Sequence, residues 1–162
     1  MSTIPLNLDR QDLRLMSGAY RALVKAVVEG FIPHFAPDAE VLHINVSGSE
    51  QVHWRQYSPQ QWELDLEALD KLPDIVLYSA DRNQLFLIDT AASNGPIDAR
   101  RHAELGQVFS QVTAELVYFT AFPSRHSAVD QLVEIDWETR AWFADEPEHH
   151  IYFNGDVLLV SD

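Results

Sequence analysis

The chain has 162 residues, 46% hydrophobic and 22% charged, which is the ordinary mixture of a globular protein with one core. The absence of cysteine excludes disulfides and thiolate metal sites, and it fits a reducing cytoplasm. Acidic residues outnumber lysine and arginine by 25 to 11, so the net charge of −14 argues against a broadly basic nucleic-acid-binding face. Residues 1–12 lack an apolar signal core, and no run approaches the roughly 18 apolar residues of a membrane span. We therefore expect a single cytoplasmic domain over residues 1–162 that does not contact a membrane.

The hydrophobic pattern predicts alternating helices and strands. Apolar residues at helical spacing mark the helices, and short apolar runs between turn residues mark the strands. In chain order the pattern predicts a helix over 16–31, strands over 41–46 and 51–57, a helix over 58–69, strands over 74–79 and 84–90, a helix over 98–112, a strand over 115–122, a helix over 124–133, and short strands over 140–144, 151–153 and 157–160.

Local signals fix several of these boundaries. Gly30 with Pro33 predicts the end of the first helix, and Asp98 is a typical N-cap for a later one. The polar turn at 80–83 predicts that the strands on either side form an antiparallel hairpin. This order of elements predicts an α/β fold with a mixed central sheet and helices on both faces.

The hairpin carries two acids that could perform chemistry. Asp74 begins one strand, and Asp89 lies fifteen positions on, near the end of the antiparallel strand. A tight hairpin therefore brings both carboxylates to the same edge of the sheet. Two close carboxylates repel each other unless a cation lies between them, and hard oxygen ligands select Mg²⁺ or Mn²⁺. Such an ion polarises a phosphoryl oxygen and lowers the pKa of a bound water.

A series of short motifs, in one order, resembles the catalytic domain of the BsuBI/PstI restriction endonucleases. The resemblance is strongest over residues 71–155. The segments that carry it are Lys71–Tyr78 (KLPDIVLY), Leu85–Asp89 (LFLID), Ser93–Pro96 (SNGP), Arg101–Leu105 (RHAEL), Thr120–Pro123 (TAFP), Trp137–Thr139 (WET) and Phe153–Gly155 (FNG).

That family is a branch of the PD-(D/E)XK nucleases, so the resemblance implies a restriction-endonuclease-like core that hydrolyses double-stranded DNA with Mg²⁺. It implies that Asp74 is the first metal-binding aspartate, and that Asp89 stands where the family usually has glutamate. Ser93 matches the family's loop, whereas Asn94 stands where histidine is expected.

Two further departures lie outside that hairpin. Arg140 stands where glutamate is usual, and Asn45-Val46-Ser47 stands where a turn like Gly-Asp-Thr is expected.

The lysine of the general superfamily motif would fall at Ala91. A substitute cation could come from Lys71, Arg100 or Arg101, which are close to the acids in sequence and could stabilise a pentacovalent phosphate. We favour Lys71 slightly, with a solvated lysine before a turn as the alternative.

Other polar residues have simpler explanations. His149 and His150 are expected to be an exposed loop pair, and His102 to contact Asp98 one helical turn away. Ser124 and Ser127 lack the surroundings of a hydrolase nucleophile near His126. The four tryptophans are expected to anchor the core or an interface, and they are Trp54, Trp62, Trp137 and Trp142.

Two functions remain in balance from the sequence. In the first, the chain is a DNA endonuclease core in which Asp74 and Asp89 hold Mg²⁺. The resemblance implies that family members carry a further N-terminal region for target recognition. Sequence specificity would therefore come from a partner protein or be weak, and palindromic cutting would favour a homodimer. In the second, the domain no longer cleaves and acts as an interaction or regulatory subunit, for example in a phage-defence system. The departures at positions 46, 94 and 140 favour this second function. An acidic DNA mimic is a third class that only the charge supports.

Overall fold

The computed structural model describes residues 18–45 and 71–156. The predicted strand over 51–57, the predicted helix over 58–69 and the last predicted strand over 157–160 lie outside the described residues. Among the described residues no helix is both long enough and apolar enough to span a membrane.

The described elements begin with three helical segments and three consecutive strands, and further helical segments and strands follow. They are α1 (Gly18–Ala26), a π-helical turn (Val27–Phe31), α2 (Ile32–Phe35), β1 (Glu40–Ile44), β2 (Ile75–Ser79), β3 (Gln84–Thr90), α3 (Ala99–Val108), β4 (Glu115–Phe122), α4 (Arg125–Ala128), a 3₁₀ turn (Val129–Glu134), β5 (Thr139–Phe143) and β6 (His150–Phe153).

One mixed sheet of six strands organises the described residues, with strand order β1-β2-β3-β4-β5-β6. β1, β2 and β3 are antiparallel neighbours, β3, β4 and β5 are parallel neighbours, and β6 pairs antiparallel with β5. α3 connects β3 to β4, as a parallel pair of strands requires a crossover. The expected α/β fold with a mixed sheet is confirmed.

Helices cover both faces of the sheet. Successive side chains of β2 point to opposite faces. Ile75 and Leu77 pack with the helical region that precedes β1, whereas Val76 and Tyr78 pack with Leu105 of α3. Both faces of β2 are therefore buried, which explains its uninterrupted apolar sequence.

The predicted stop at Gly30 and Pro33 is wrong, because the helical path continues to Phe35. The N–H of Ile32 bonds to the carbonyl of Val27, five residues back, and this wider turn ends just before Pro33. The proline then lies at the start of a new helical turn, where its missing N–H costs nothing. A Cβ on Gly30 would lie 3.1 Å from Cβ of Pro147 and 3.4 Å from Cζ2 of Trp142, so glycine permits close packing there.

Two other helix predictions need correction. α3 ends at Val108 and not at Val112, because Phe109 leaves helical geometry at the C-cap. The segment predicted as a helix over 124–133 is a single α-turn followed by a 3₁₀ turn. The predicted N-cap Asp98 accepts a backbone N–H group, and Ser124, which was not predicted as a cap, does the same at the start of its turn.

Candidate active site

Asp74 and Asp89 face each other at one end of the β2–β3 hairpin. Ile75 pairs with Ile88, so the two acids occupy the next opposed positions beyond that pair. Each is fully buried at 0% exposure. The backbone N–H of Asp74 donates to Oδ1 of Asp89 at 3.1 Å, which joins the two residues directly. The hairpin therefore places two acids together inside the protein.

The carboxylate of Asp74 is held mainly by the end of β3 and the loop that follows it. Its Oδ2 accepts from the N–H of Thr90 at 2.9 Å and from the Thr90 hydroxyl at 3.2 Å. Burial, together with the negative charge of Asp89, raises the pKa of Asp74 to about 6. Hydrogen bonds from Thr90 and from the Ser93 side chain act in the opposite direction and favour the charged form.

The amide group of Asn94 lies between the two acids. Its Nδ2 is 3.1 Å from Oδ1 of Asp89 and 3.4 Å from Oδ1 of Asp74. One nitrogen therefore donates toward both carboxylates. An uncharged donor at this point softens the repulsion between the acids without neutralising either.

The guanidinium of Arg101, in the first turn of α3, forms an ion pair with Asp89. Nε donates to Oδ2 at 2.7 Å and Nη2 donates to Oδ1 at 3.3 Å. Burial acts to lower the pKa of Arg101, but the hydrogen bonds and charges of Asp89 and Glu104 outweigh it and raise that pKa above its usual value. Asp89 is thus compensated by a neighbouring cation, and Asp74 is not part of that ion pair.

A tyrosine from α1 completes the wall of the site. The hydroxyl of Tyr20 donates to the carbonyl of Asn45 at 2.6 Å, and the N–H of Asn45 donates to the carbonyl of Asp74 at 2.8 Å. Burial raises the pKa of Tyr20, and the charges of Asp74 and Asp89 raise it further. The tyrosine therefore remains protonated and links α1 to the backbone of Asp74.

The remaining predicted site residues lie around the acids in different ways. Lys71 is exposed, and its carbonyl accepts from Arg101 at 3.0 Å. Arg100 is exposed on α3 and lines a polar depression beside Asn94. Ala91 follows β3, and its N–H bonds to the carbonyl of Ala121.

Several secondary expectations have clear outcomes in the structure. The expected contact between the side chains of His102 and Asp98 is wrong, because Nδ1 of His102 lies 2.8 Å from Oδ2 of Asp136 while Asp98 caps α3. Ser124 and Ser127 form a capping box, which gives both serines a structural role.

The aromatic and histidine expectations are mixed. His149 and His150 are exposed as expected, although His150 begins β6 instead of lying in a loop. Trp142 is 1% exposed and belongs to the core, whereas Trp137 is 62% exposed. Trp54 and Trp62 lie outside the described residues. The guanidinium of Arg140 lies 4.1 Å from the ring centre of Tyr152.

The donor set at the hairpin fits a hard divalent ion. Mg²⁺ commonly uses one or two carboxylates and completes its shell with water and substrate phosphate. The residues that could hold it are Asp74 and Asp89, and Nδ2 of Asn94 lies within hydrogen-bonding distance of an Oδ1 atom of each. Within residues 18–45 and 71–156 no cluster of three or more acids, histidines or cysteines offers a metal site, so water would have to supply further ligands.

Sequence reasoning missed Thr90 and Tyr20, which shape this site, and it missed the contacts of Asn94 with both acids. Thr90 follows Asp89 directly, and its position at the end of β3 could have indicated that its N–H faces the opposed strand. The bridging position of Asn94 and the approach of Tyr20 depend on how a loop and a helix fold over the hairpin. Spacing along the chain gives no signal for either contact.

A mixed sheet with a buried acidic hairpin and helices on both faces defines a restriction-endonuclease-like α/β domain. The sequence model described as the BsuBI/PstI restriction endonuclease domain matches residues 4–156. The chain belongs to this family.

Individual relatives agree with that assignment. The chain is 34% identical over 153 residues to the type II restriction enzyme BsuBI of Bacillus subtilis, covering 94% of this chain and 48% of that protein. It is 33% identical over 153 residues to the type II restriction enzyme AplI of Arthrospira platensis, covering 88% of this chain and 46% of that protein. The structure of the SdaI restriction endonuclease matches with a TM-score of 0.77 and 35% identity, covering 90% of this chain and 46% of that one. The chain spans about half the length of the proteins it matches.

Proposed function

We propose that the chain is the catalytic domain of a metal-dependent DNA endonuclease of restriction-enzyme type, which hydrolyses phosphodiester bonds in double-stranded DNA. The observation that carries the proposal is the pair of fully buried, opposed carboxylates Asp74 and Asp89 on one hairpin, in a chain whose family consists of restriction endonucleases. Burying two acids together is unfavourable unless their charge is used or compensated. In a phosphoryl-transfer site, a bound metal ion would use the charge of both acids.

Asp74 and Asp89 would hold Mg²⁺, or Mn²⁺ in its place. When bound, such an ion polarises a phosphoryl oxygen and lowers the pKa of a coordinated water. Thr90 and Ser93 fix the Asp74 carboxylate and favour its charged form, which is the form a cation requires. The amide of Asn94 donates toward both acids, so a cation held by them would compete with this donor.

A positive side chain near the phosphate is the remaining requirement of the chemistry. Lys71 is exposed three residues before Asp74 and takes this role in the proposal. A substrate phosphate at the hairpin edge would replace the water around its ammonium group. The net charge of −14 makes such local cations more important, because the chain as a whole repels DNA.

The target sequence would be recognised by a partner protein or by a part of the enzyme beyond this domain, because the matched relatives are about twice as long. A second copy related by a twofold axis would allow both strands of a palindromic site to be cut. This arrangement suits a cytoplasmic enzyme of phage defence.

A second function is favoured by one specific observation. Arg101 bonds to both oxygens of Asp89, so the protein itself already supplies a cation to this acid. A domain whose acid is already neutralised by the protein could serve as a nuclease-like interaction or regulatory subunit. In that case Asp74 and Asp89 would keep only a structural role.

Cleavage of supercoiled plasmid with Mg²⁺ or Mn²⁺ tests the proposal, with the Asp74→Asn and Asp89→Asn variants as probes. Asp38→Asn is the matched control, because it removes the same charge at the opposite end of the hairpin, where Asp38 accepts from Ser79 and from the N–H of Asp81. We expect metal-dependent cutting that both site variants lose and the control retains. An intact plasmid at every metal concentration would favour the interaction subunit instead.

A further inference from the structure

The side chain of Arg101 uses all of its hydrogen-bonding capacity within the protein. A guanidinium carries five N–H donors. Two of them donate to Asp89, at 2.7 and 3.3 Å. Two others donate to the carbonyls of Lys71 at 3.0 Å and Leu72 at 3.3 Å, and the fifth to Oε1 of Glu104 at 2.5 Å. Each N–H of this cation therefore already has a protein acceptor.

These bonds join the three segments that build the site. Lys71 and Leu72 lead into Asp74, Asp89 lies near the end of β3, and Arg101 itself lies in the first turn of α3. The N-cap Asp98 accepts the backbone N–H of Arg101 at 2.8 Å, so the main chain of this arginine is fixed as well. The Arg101 side chain is 14% exposed, which places most of the contact out of water.

We propose that Arg101 is a positioning residue that does not contact the DNA phosphate. It orients the Asp89 carboxylate and holds the segment that leads into Asp74, Lys71 and Leu72, against α3. Because Arg101 is close to the acids in sequence, it was also a candidate for the cation that stabilises the phosphate. The five contacts argue against that role, because a phosphate oxygen would have to displace a carboxylate or a backbone carbonyl from the guanidinium. The expected effect on metal binding rests on the proposed nuclease function. The ion pair between Arg101 and Asp89, which we call the clamp, does not depend on that function.

The Arg101→Lys variant distinguishes the effect of side-chain geometry from the effect of positive charge. It keeps the positive charge next to Asp89 but cannot form the planar fork that holds both oxygens and two carbonyls at once. In the Arg101→Lys variant, the electrostatic field on a metal is nearly unchanged while the orientation of Asp89 is lost. Arg100→Lys is the matched control, because Arg100 is the exposed neighbour on the same helix.

The first measurement is Mn²⁺ binding without DNA, followed by electron paramagnetic resonance or calorimetry. Residues that orient a metal ligand typically contribute roughly 10- to 100-fold to metal affinity. We expect Arg101→Lys to weaken Mn²⁺ binding at least about tenfold and Arg100→Lys to leave it unchanged. Equal Mn²⁺ affinity in the Arg101→Lys variant and the unmodified protein would overturn the positioning role.

The second measurement is the salt dependence of binding to a short DNA duplex in Ca²⁺. A residue that neutralises one phosphate contributes about 0.9 to the slope of log K against log salt. A positioning residue leaves that slope unchanged in the Arg101→Gln variant. A slope that falls by about one would assign Arg101 to the phosphate and overturn the proposal.

The third measurement needs neither metal nor DNA. Urea unfolding in EDTA of Arg101→Gln, Asp89→Asn and the double variant gives the coupling between the two side chains. We expect Arg101→Gln to raise the equilibrium constant for unfolding more than tenfold in the parent protein. In the Asp89→Asn variant the same change should raise this constant far less. Additive effects would refute the clamp. Strong coupling in a protein that binds no Mn²⁺ would sustain the clamp and overturn the nuclease function.

Discussion

At the scale of single residues, the protonation of Asp74 links the site to stability. Its pKa is about 6 in the folded protein against 3.8 for an ordinary aspartate. Between these values the folded state keeps a proton that the unfolded state has lost, so the contribution of Asp74 to the free energy of unfolding falls as pH rises. Because the side chain is fully buried, this loss amounts to about 3 kcal/mol once both states are ionised.

We therefore expect Asp74→Asn to be more stable than the parent protein at about pH 7.5, by up to about 3 kcal/mol, and to lose most of this advantage at about pH 4.5. Asparagine can still accept the N–H of Thr90 and carries no charge beside Asp89. Urea unfolding at several pH values in EDTA measures the difference. A difference that does not change with pH would contradict the assignment of the raised pKa to this carboxyl.

Asn94 offers a second prediction at this scale. Replacing its amide by a carboxylate in Asn94→Asp puts a third acid within hydrogen-bonding distance of Asp74 and Asp89. We expect the metal-free protein to lose about 1–3 kcal/mol of stability and Mn²⁺ binding to tighten about tenfold, since a further hard ligand faces the same point.

Asn83→Asp is the matched control for that change. It makes the same substitution at the exposed turn of the hairpin, at the other end of β2 and β3. We expect it to leave Mn²⁺ affinity unaltered. Equal tightening in both variants would mean that overall charge, and not the site, controls metal binding.

The acids of the site could be anticipated from sequence, whereas the groups around them could not. Asp74 and Asp89 are related by hairpin spacing, which is a local property of two strands and a turn. The contacts of Asn94 and Tyr20 arise only when a loop and α1 close over the hairpin. The five acceptors of Arg101 likewise come from three separate segments, so no spacing rule predicts them.

At the scale of elements, the N-cap of α3 connects helix stability to the site. Asp98→Ala and Ser124→Ala each remove a capping acceptor, and each should cost about 1 kcal/mol of stability. Only Asp98 caps the helix turn that carries Arg101. We expect Asp98→Ala alone to weaken Mn²⁺ binding, and titration of the two variants side by side makes the comparison. Equal Mn²⁺ affinity in the two variants would show that the Asp98 cap does not influence metal binding at the site.

Strands and caps were easier to predict than the ends of helices. β3 and β4 agree with prediction at both ends, because apolar runs between turn residues define buried strands well. The π-helical turn before Pro33 was not predicted, since a proline ordinarily ends a helix and only the wider turn relieves the clash. The end of α3 at Val108 was also not predicted. Val112 continues the apolar pattern beyond the helix and packs on the core from a turn.

At the scale of the whole molecule, the charge of −14 should weaken the folded state through repulsion among surface acids. Raising NaCl from about 20 to about 300 mM shortens the Debye length and screens these exposed charges. A gain of about 1 kcal/mol would raise Tm by about 2–4 °C for a chain of this size. Differential scanning calorimetry at neutral pH, with an uncharged osmolyte of equal osmolality as control, measures this shift. A Tm that falls with NaCl would show that attractive ion pairs dominate the surface.

The short connection between the two opposed acids also bears on how the chain folds. The β2–β3 hairpin joins residues fifteen positions apart at the acids, whereas the parallel pairing of β3 with β4 brings Gln84 next to Glu115, 31 positions on. Loop-closure entropy therefore lets the hairpin form first. Its two like charges meet before α3 delivers the guanidinium, so mild acid or a divalent ion should speed the earliest step of refolding.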